Sequence, residues 1–105
     1  MSPPEPASVT FTWDTAELDD EILVTVSGIL DIAAAGDFGR RLNDAARPGK
    51  PLFLDLTAVT FLGGAGYRAI HAAAAAAPMT AATRSALIAT ILLAVPGSTI
   101  RVQAS

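Results

Sequence analysis

The 105-residue chain contains no cysteine. This absence excludes disulfide bonds, zinc–thiolate sites, iron–sulfur clusters and a thiol nucleophile together. Only one histidine and one lysine are present, and no aspartate or glutamate follows Asp55. The second half therefore lacks the paired carboxylates and ligand clusters that hydrolases and metal sites use. We expect a domain that is not an enzyme and that holds neither a metal nor a cofactor.

A long hydrophobic run and a leader sequence are also missing. The longest strongly apolar run, residues 86–95, is about half the length that a bilayer-spanning helix requires. Residues 1–7 are polar and contain three prolines, so they are predicted to form a flexible tail rather than a signal peptide. Residues 8–105 suffice for one domain with its own core. We therefore expect a cytoplasmic protein without direct membrane insertion.

Charge is distributed unevenly along the chain. Residues 1–55 contain all ten acidic and four basic side chains, which gives −6, whereas residues 56–105 contain three arginines, which gives +3. No basic stripe is present, so binding of nucleic acid by phosphate neutralisation is not expected. The acidic half would suit a basic protein partner, although a solvated surface accounts for the same charges.

The first half has the pattern of a β-hairpin followed by a helix. Residues 9–13 alternate apolar and polar side chains, as in a half-buried strand. A second strand is predicted at residues 22–27, and two strands this close in sequence are expected to pair antiparallel. Residues 28–31 are predicted to break that strand. Asp31 is a suitable N-cap for the helix that follows.

The second half has the pattern of a buried strand, a glycine turn and an alanine-rich helix. Residues 52–56 form a short, nearly continuous apolar run, as in a central strand, and residues 57–62 lead from it to the glycines. The helix is predicted from about Gly64 to Ala77, where Pro78 ends it. Residues 87–94 are compatible with a strand or a helix, and we favour a parallel strand. The resulting β-β-α-β-α-β order predicts an α/β domain with a mixed sheet and helices packed on it.

The glycine turn is the most informative feature of the sequence. Residues 63–66 carry no hydroxyl, carboxylate or imidazole group. Glycines there permit a tight strand-to-helix turn and leave the first helical N–H groups uncovered. An anion or a side chain of a protein partner could bind such a platform. A purely structural role for the glycines fits the same residues.

Two nucleotide-binding motifs are excluded at this turn. Residues 64–69 formally match the G-x-G-x-x-A dinucleotide fingerprint, but the acidic residue that would bind the ribose is absent. A P-loop requires a lysine after its glycines, and Lys50, the only lysine, precedes them.

His71 is a lone histidine among alanines, which is more typical of a surface or packing residue than of a catalytic group.

Taken together, residues 26–31, residues 52–62 and the glycine turn resemble a STAS domain, a family found in anti-sigma factor antagonists and in sulfate transporter tails. The resemblance covers residues 9–94 and implies a STAS-like mixed sheet. Family members usually continue into another helix, which residues 96–102 would only begin, so we expect that last helix to be missing. Alternatively, Ile100 and Val102 form a short edge strand. Uncovered apolar surface at this end would suit a partner or a homodimer.

The resemblance also implies a form of regulation that this chain lacks. In bacterial antagonists of the family, a kinase-type anti-sigma factor phosphorylates a serine in an Asp-Ser-Ser-Gly-like turn, and the added charge blocks binding. In this chain Gly63 stands at the acidic position and Gly64 at the acceptor position, and only the closing Gly66 is kept. Glycine cannot be phosphorylated, so the resemblance implies partner binding without phosphorylation control.

The function implied by the resemblance is that of a non-enzymatic interaction module that binds a regulatory protein such as an anti-sigma factor. The expected partner-binding residues are Asp31, Gly63, Gly64, Ala65, Gly66, Tyr67 and Arg68. Tyrosine and arginine are favoured at the energetic centres of interfaces. Two alternatives remain: a domain that binds a small anion or nucleotide at the N-terminus of the second helix, and a transporter-associated STAS subunit.

Overall fold

The computed structural model describes residues 11–47 and 49–102. The predicted tail at residues 1–7 and the start of the first predicted strand lie outside the described residues. The strands are β1 (Phe11–Glu17), β2 (Ile22–Leu30), β3 (Leu52–Leu62), β4 (Met79–Thr83) and β5 (Ser98–Val102). The helices are α1 (Ile32–Ala45), α2 (Gly64–Ala76) and α3 (Ala86–Leu92). Within the described residues the strands form one sheet in the order β1-β2-β3-β4-β5.

β1 and β2 form the predicted antiparallel hairpin, with Trp13 opposite Val26. Phe11 and Trp13 pack edge-on against Phe38 of α1, with ring centroids 6.2 and 6.1 Å apart. This aromatic cluster fixes the hairpin to the helical side of the sheet. β1 continues to Glu17, beyond residues 9–13, where the sequence predicted the first strand.

The strands from β2 to β5 are all parallel, and each is joined to the next by one helix. Because such crossovers are right-handed and all proceed in the same direction across the sheet, the three helices lie on one face. This helical face contains the core, where Val24, Leu54 and Ala81 are neighbours in register and fully buried. The opposite face, here called the open face, carries Thr25 and Asp55 at the next position of the same strands.

The prediction of a strand at residues 87–94 is wrong, because α3 occupies this segment. The Oγ atom of Ser85 accepts a hydrogen bond from the Ile88 amide at 3.2 Å and caps the helix. The buried residues Ile88, Ala89 and Leu92 follow a helical spacing. The strand that follows α2 in the chain is instead β4, a short alanine-containing segment. Its position between β3 and β5 overrides the helix propensity of alanine.

The predicted strand break at residues 28–31 is also wrong, since β2 continues through Gly28 to Leu30. The register against β3 shifts between Gly28 and Ile29, and Gly28 has a φ of 97°, which favours glycine. β3 is likewise longer than the strand predicted at residues 52–56, since it continues to Leu62 over 11 residues. The alternative of an edge strand containing Ile100 and Val102 is confirmed by β5. Both β2 and β3 therefore reach the end of the sheet where the glycine turn lies.

Candidate partner-binding surface

The glycine turn lies at the carboxyl end of the sheet, directly beside the N-terminus of α1. Leu30 and Leu62, the last residues of β2 and β3, are partners in the parallel register. The amide of Gly63 donates a hydrogen bond of 2.9 Å to the carbonyl oxygen of Leu30. Since Asp31 directly follows Leu30, the structure brings Asp31 and the turn together at one edge.

Asp31 is the N-cap of α1. Its Oδ1 atom accepts a hydrogen bond of 3.1 Å from the amide of Ala34. A carboxylate at this position satisfies an amide that has no partner within the helix and interacts favourably with the helix dipole. Asp31 is half-buried, so part of its side chain still faces solvent. Any substitution of Asp31 would therefore alter the first turn of α1.

The N-terminus of α2 has no comparable cap. Gly63 is the N-cap residue, its backbone is extended, and it makes no side-chain capping bond. Among the helices in the described part of the chain, α1 and α3 have such a bond, from Asp31 and Ser85 respectively. The first amides of α2 thus receive no hydrogen bond from the side chain of an N-cap residue.

Gly64 and Gly66 differ sharply in the space around them. No heavy atom lies within 4 Å of a Cβ built on Gly64, which is exposed. A Cβ on Gly66 would lie 2.8 Å from Cδ1 of Leu62 and 3.3 Å from the carbonyl oxygen of Leu30. Gly66 is therefore required for close packing of α2 on the sheet, whereas Gly64 would accommodate a side chain that points into solvent.

Tyr67 and Arg68 complete the first turn of α2. Tyr67 is half-buried and packs against the core, and its ring centroid lies 6.0 Å from that of His71. Arg68 is exposed and has no ion-pair partner among residues 11–47 and 49–102. Ala65 is half-buried between these features. The turn therefore offers an aromatic ring edge and an uncompensated cation next to bare main chain.

Three exposed apolar side chains flank the turn, and sequence reasoning missed all of them. Ile32 is 85% exposed and Phe61 is 51% exposed. Ile29 is the register partner of Phe61 on β2 and is also exposed. The ring of Phe61 lies beside Gly63, where a Cβ would be 3.3 Å from its Cε2 atom. We refer to Ile29, Ile32 and Phe61 as the apolar rim.

A signal for the apolar rim was present in the sequence. In a helix of 3.6 residues per turn, Ile32 lies about 120° from Phe38, the centre of the buried stripe of α1. An isoleucine so far from the buried stripe has no core to enter. Phe61 and Leu62 are consecutive in a strand, so only one of them can face the helices. Together with the predicted residues, the apolar rim forms what we call the turn surface.

The described residues contain no cluster of three or more histidine, cysteine, aspartate or glutamate residues that could hold a metal ion. They also contain no buried side-chain nitrogen or oxygen atom that lacks a hydrogen-bond partner. Asp55, the acidic residue nearest to the turn in sequence, accepts hydrogen bonds from the amide and the hydroxyl group of Thr57.

Comparison with known proteins places this arrangement in a family. The family model described as "Mlab, STAS domain" matches residues 13–83, from β1 through β4, including the glycine turn. The chain belongs to the STAS domain family. No curated protein sequence matches the chain significantly.

Two solved structures share the STAS fold of this chain. The first is an anti-sigma factor antagonist from Mycobacterium paratuberculosis, with 23% identity, a TM-score of 0.63, and coverage of 76% of this chain and 72% of that chain. The second is an antisigma-factor antagonist STAS domain from Rhodobacter sphaeroides, with 14% identity, a TM-score of 0.51, and coverage of 91% and 88%. At these identities the likeness confirms the predicted fold class. No helix among the described residues is long and apolar enough to cross a bilayer.

Proposed function

We propose that this STAS domain is a non-enzymatic interaction module that binds a regulatory protein, such as an anti-sigma factor, through the turn surface. The observation that carries the proposal is the apolar rim around an open glycine turn. Ile32 and Phe61 are largely exposed at the one edge where Asp31, Tyr67 and Arg68 also meet. Exposed apolar side chains bordered by polar groups are typical of protein contact sites.

The proposal includes the absence of phosphorylation control at the turn. Gly64 occupies the position where the STAS antagonists that the chain resembles carry a phosphorylated serine, and it has no oxygen that could accept a phosphate. The open space around Gly64 supports this proposal, because a side chain at this position would project directly into the interface. In this protein the affinity for the partner is set by contact alone, and release requires competition or removal of the partner.

The experiment is a calorimetric titration of candidate anti-sigma factors into the wild-type domain and two arginine variants. Gly64→Arg adds a long charged side chain to the centre of the turn surface. Ala75→Arg is the matched control, since Ala75 is an exposed residue of the same helix. It lies about 20° around the axis from Gly64 and about 16 Å further along the axis.

We expect Gly64→Arg to weaken binding by at least about tenfold, equivalent to about 1.4 kcal/mol, while Ala75→Arg binds like the wild type. Equal affinities for all three proteins would contradict the proposal. Titrations with inorganic phosphate and ATP distinguish the anion-binding alternative, because binding heat from either would favour it. Selective capture of a transporter component, with no binding to any anti-sigma factor, would favour the transporter-associated alternative.

A further inference from the structure

The sheet has two outer strands, β1 and β5, within the described residues. The outer side of an edge strand presents backbone N–H and C=O groups that can pair with another chain. β1 runs antiparallel to the other four strands. Consequently, β5 of one molecule can pair antiparallel with β1 of a second molecule in the same orientation, and the sheet continues. We propose that copies of this chain associate head to tail in this way.

The side chains of the two edges fit in one register. On β5, Arg101 is the partner of Ala82 and lies on the open face, whereas Val102 lies on the helical face and is 58% exposed. On β1, Asp14 lies on the open face, because the adjacent Trp13 packs against Phe38 on the helical face. Pairing Arg101 with Asp14 of the next copy automatically sets Val102 opposite Trp13. Opposite charges and an aromatic with a β-branched residue are favourable cross-strand pairs.

The helical faces beside these strands are also complementary. α3 lies against β5, and Leu87 of this helix and its C-cap residue Leu93 are exposed. Beside β1, an open groove of about 270 Å³ is lined by Trp13, Thr15, Arg41, Asp44 and Ala45. Continuation of the sheet places α3 of one copy alongside α1 of the next. The exposed apolar surface of α3 and the groove are thereby brought to the same junction, where burial of apolar surface is favourable.

Charge favours this head-to-tail order over pairing of two identical edges. The half of the chain that supplies β4, α3 and β5 contains no acidic residue, while the half that supplies β1, β2 and α1 contains all ten. Neither Asp14 nor Arg101 has an ion-pair partner among the described residues. A β5–β5 contact would bring the unpaired Arg101 of both copies to one contact, and a β1–β1 contact the unpaired Asp14 of both, so these charges favour the pairing of unlike edges.

A head-to-tail contact of this kind does not close on itself after two copies. Each added molecule leaves a free β1 edge at one end of the assembly and a free β5 edge at the other. The mean mass in solution should therefore rise steadily with protein concentration, without a plateau at the dimer. Raising the salt concentration should lower the mean mass, since it screens the charge attraction.

The test is sedimentation velocity of the full-length chain over a wide concentration range, with Arg101→Glu and Asp14→Arg variants. Each variant places like charges at the contact and should remain monomeric where the wild type associates. An equimolar mixture of the two variants restores a pair of opposite charges at every contact between unlike variants, so it should associate again. This rescue distinguishes a lost contact from a misfolded variant.

Three outcomes would overturn the proposal. The first is a wild type that stays monomeric at every concentration. The second is a mixture that is as monomeric as the separate variants. The third is a mass that stops at the dimer and is insensitive to Asp14→Arg, which would indicate a closed contact between two β5 strands.

Discussion

Replacement of Gly66 by alanine tests the close packing that positions the turn surface. The new methyl group would approach Cδ1 of Leu62 to 2.8 Å and the carbonyl oxygen of Leu30 to 3.3 Å. Leu62 is buried and the carbonyl belongs to a strand, so neither can move freely. Overpacking of this kind costs about 1–3 kcal/mol, which outweighs the gain of about 0.5–1 kcal/mol from replacing a helical glycine.

Gly36→Ala is the matched control for this substitution. Gly36 lies inside α1, and a methyl group at this position would have no heavy atom within 4 Å. This variant should gain about 0.5–1 kcal/mol in the free energy of unfolding. We therefore expect Gly66→Ala to be less stable than Gly36→Ala by about 1–3 kcal/mol. In a domain of this size that difference corresponds to about 5–20 °C in Tm.

Thermal and urea unfolding followed by circular dichroism measure this difference directly. The two substitutions change the same group in the same type of element, so their helix propensity terms cancel. If Gly66→Ala unfolds at the same temperature as Gly36→Ala or above it, α2 does not approach the sheet as closely as described.

Further predictions concern the turn and the surface charges. The Gly64→Ser variant should acquire one phosphate, detected by mass spectrometry, when it is incubated with ATP and a kinase-type anti-sigma factor that binds the domain. The wild type should stay unmodified at the turn under the same conditions. Phosphorylation of the wild type at another residue would contradict binding without phosphorylation control. Asp31→Ala should lower the free energy of unfolding by about 1 kcal/mol through loss of the α1 cap, with Asp31→Asn retaining most of it. The hydrogen bond from Lys50, with the nearby charges of Arg47 and Lys50, lowers the pKa of Glu17 below its ordinary value. The stabilisation is present above the ordinary pKa of a glutamate and is lost as the pH falls through the lowered pKa of Glu17, so Glu17→Gln should reduce the acid dependence of urea unfolding.

Local signals made the hairpin, the cap at Asp31 and the glycine turn predictable from the sequence. Each depends on neighbouring residues: alternation in β1, a carboxylate before an amphipathic helix, and glycines where a strand meets a helix. The juxtaposition of Asp31 with Gly63 followed from topology, because the carboxyl ends of adjacent parallel strands meet at one edge.

The remaining elements were not predictable because tertiary contacts determine them. β4 has two consecutive alanines, which favour a helix, at its centre, and it is a strand because β3 and β5 pair with it on both sides. The apolar run at residues 87–94 suggested a strand, but the cap at Ser85 starts a helix there. Helical spacing and strand alternation place Ile32 and Phe61 away from the core, but their position beside the glycine turn depends on how β2, β3 and α1 meet, and residue propensity does not contain that information.

The most direct test of the proposed function is a map of the partner contact by NMR. Amide chemical shifts of the labelled domain are followed while an unlabelled anti-sigma factor that binds it is added. We expect the largest changes in amide chemical shift at residues 29–32 and 61–68, with a domain that is not phosphorylated. Changes confined to β1, β5 or α3, with the turn unaffected, would contradict the assignment of the turn surface as the partner-binding site.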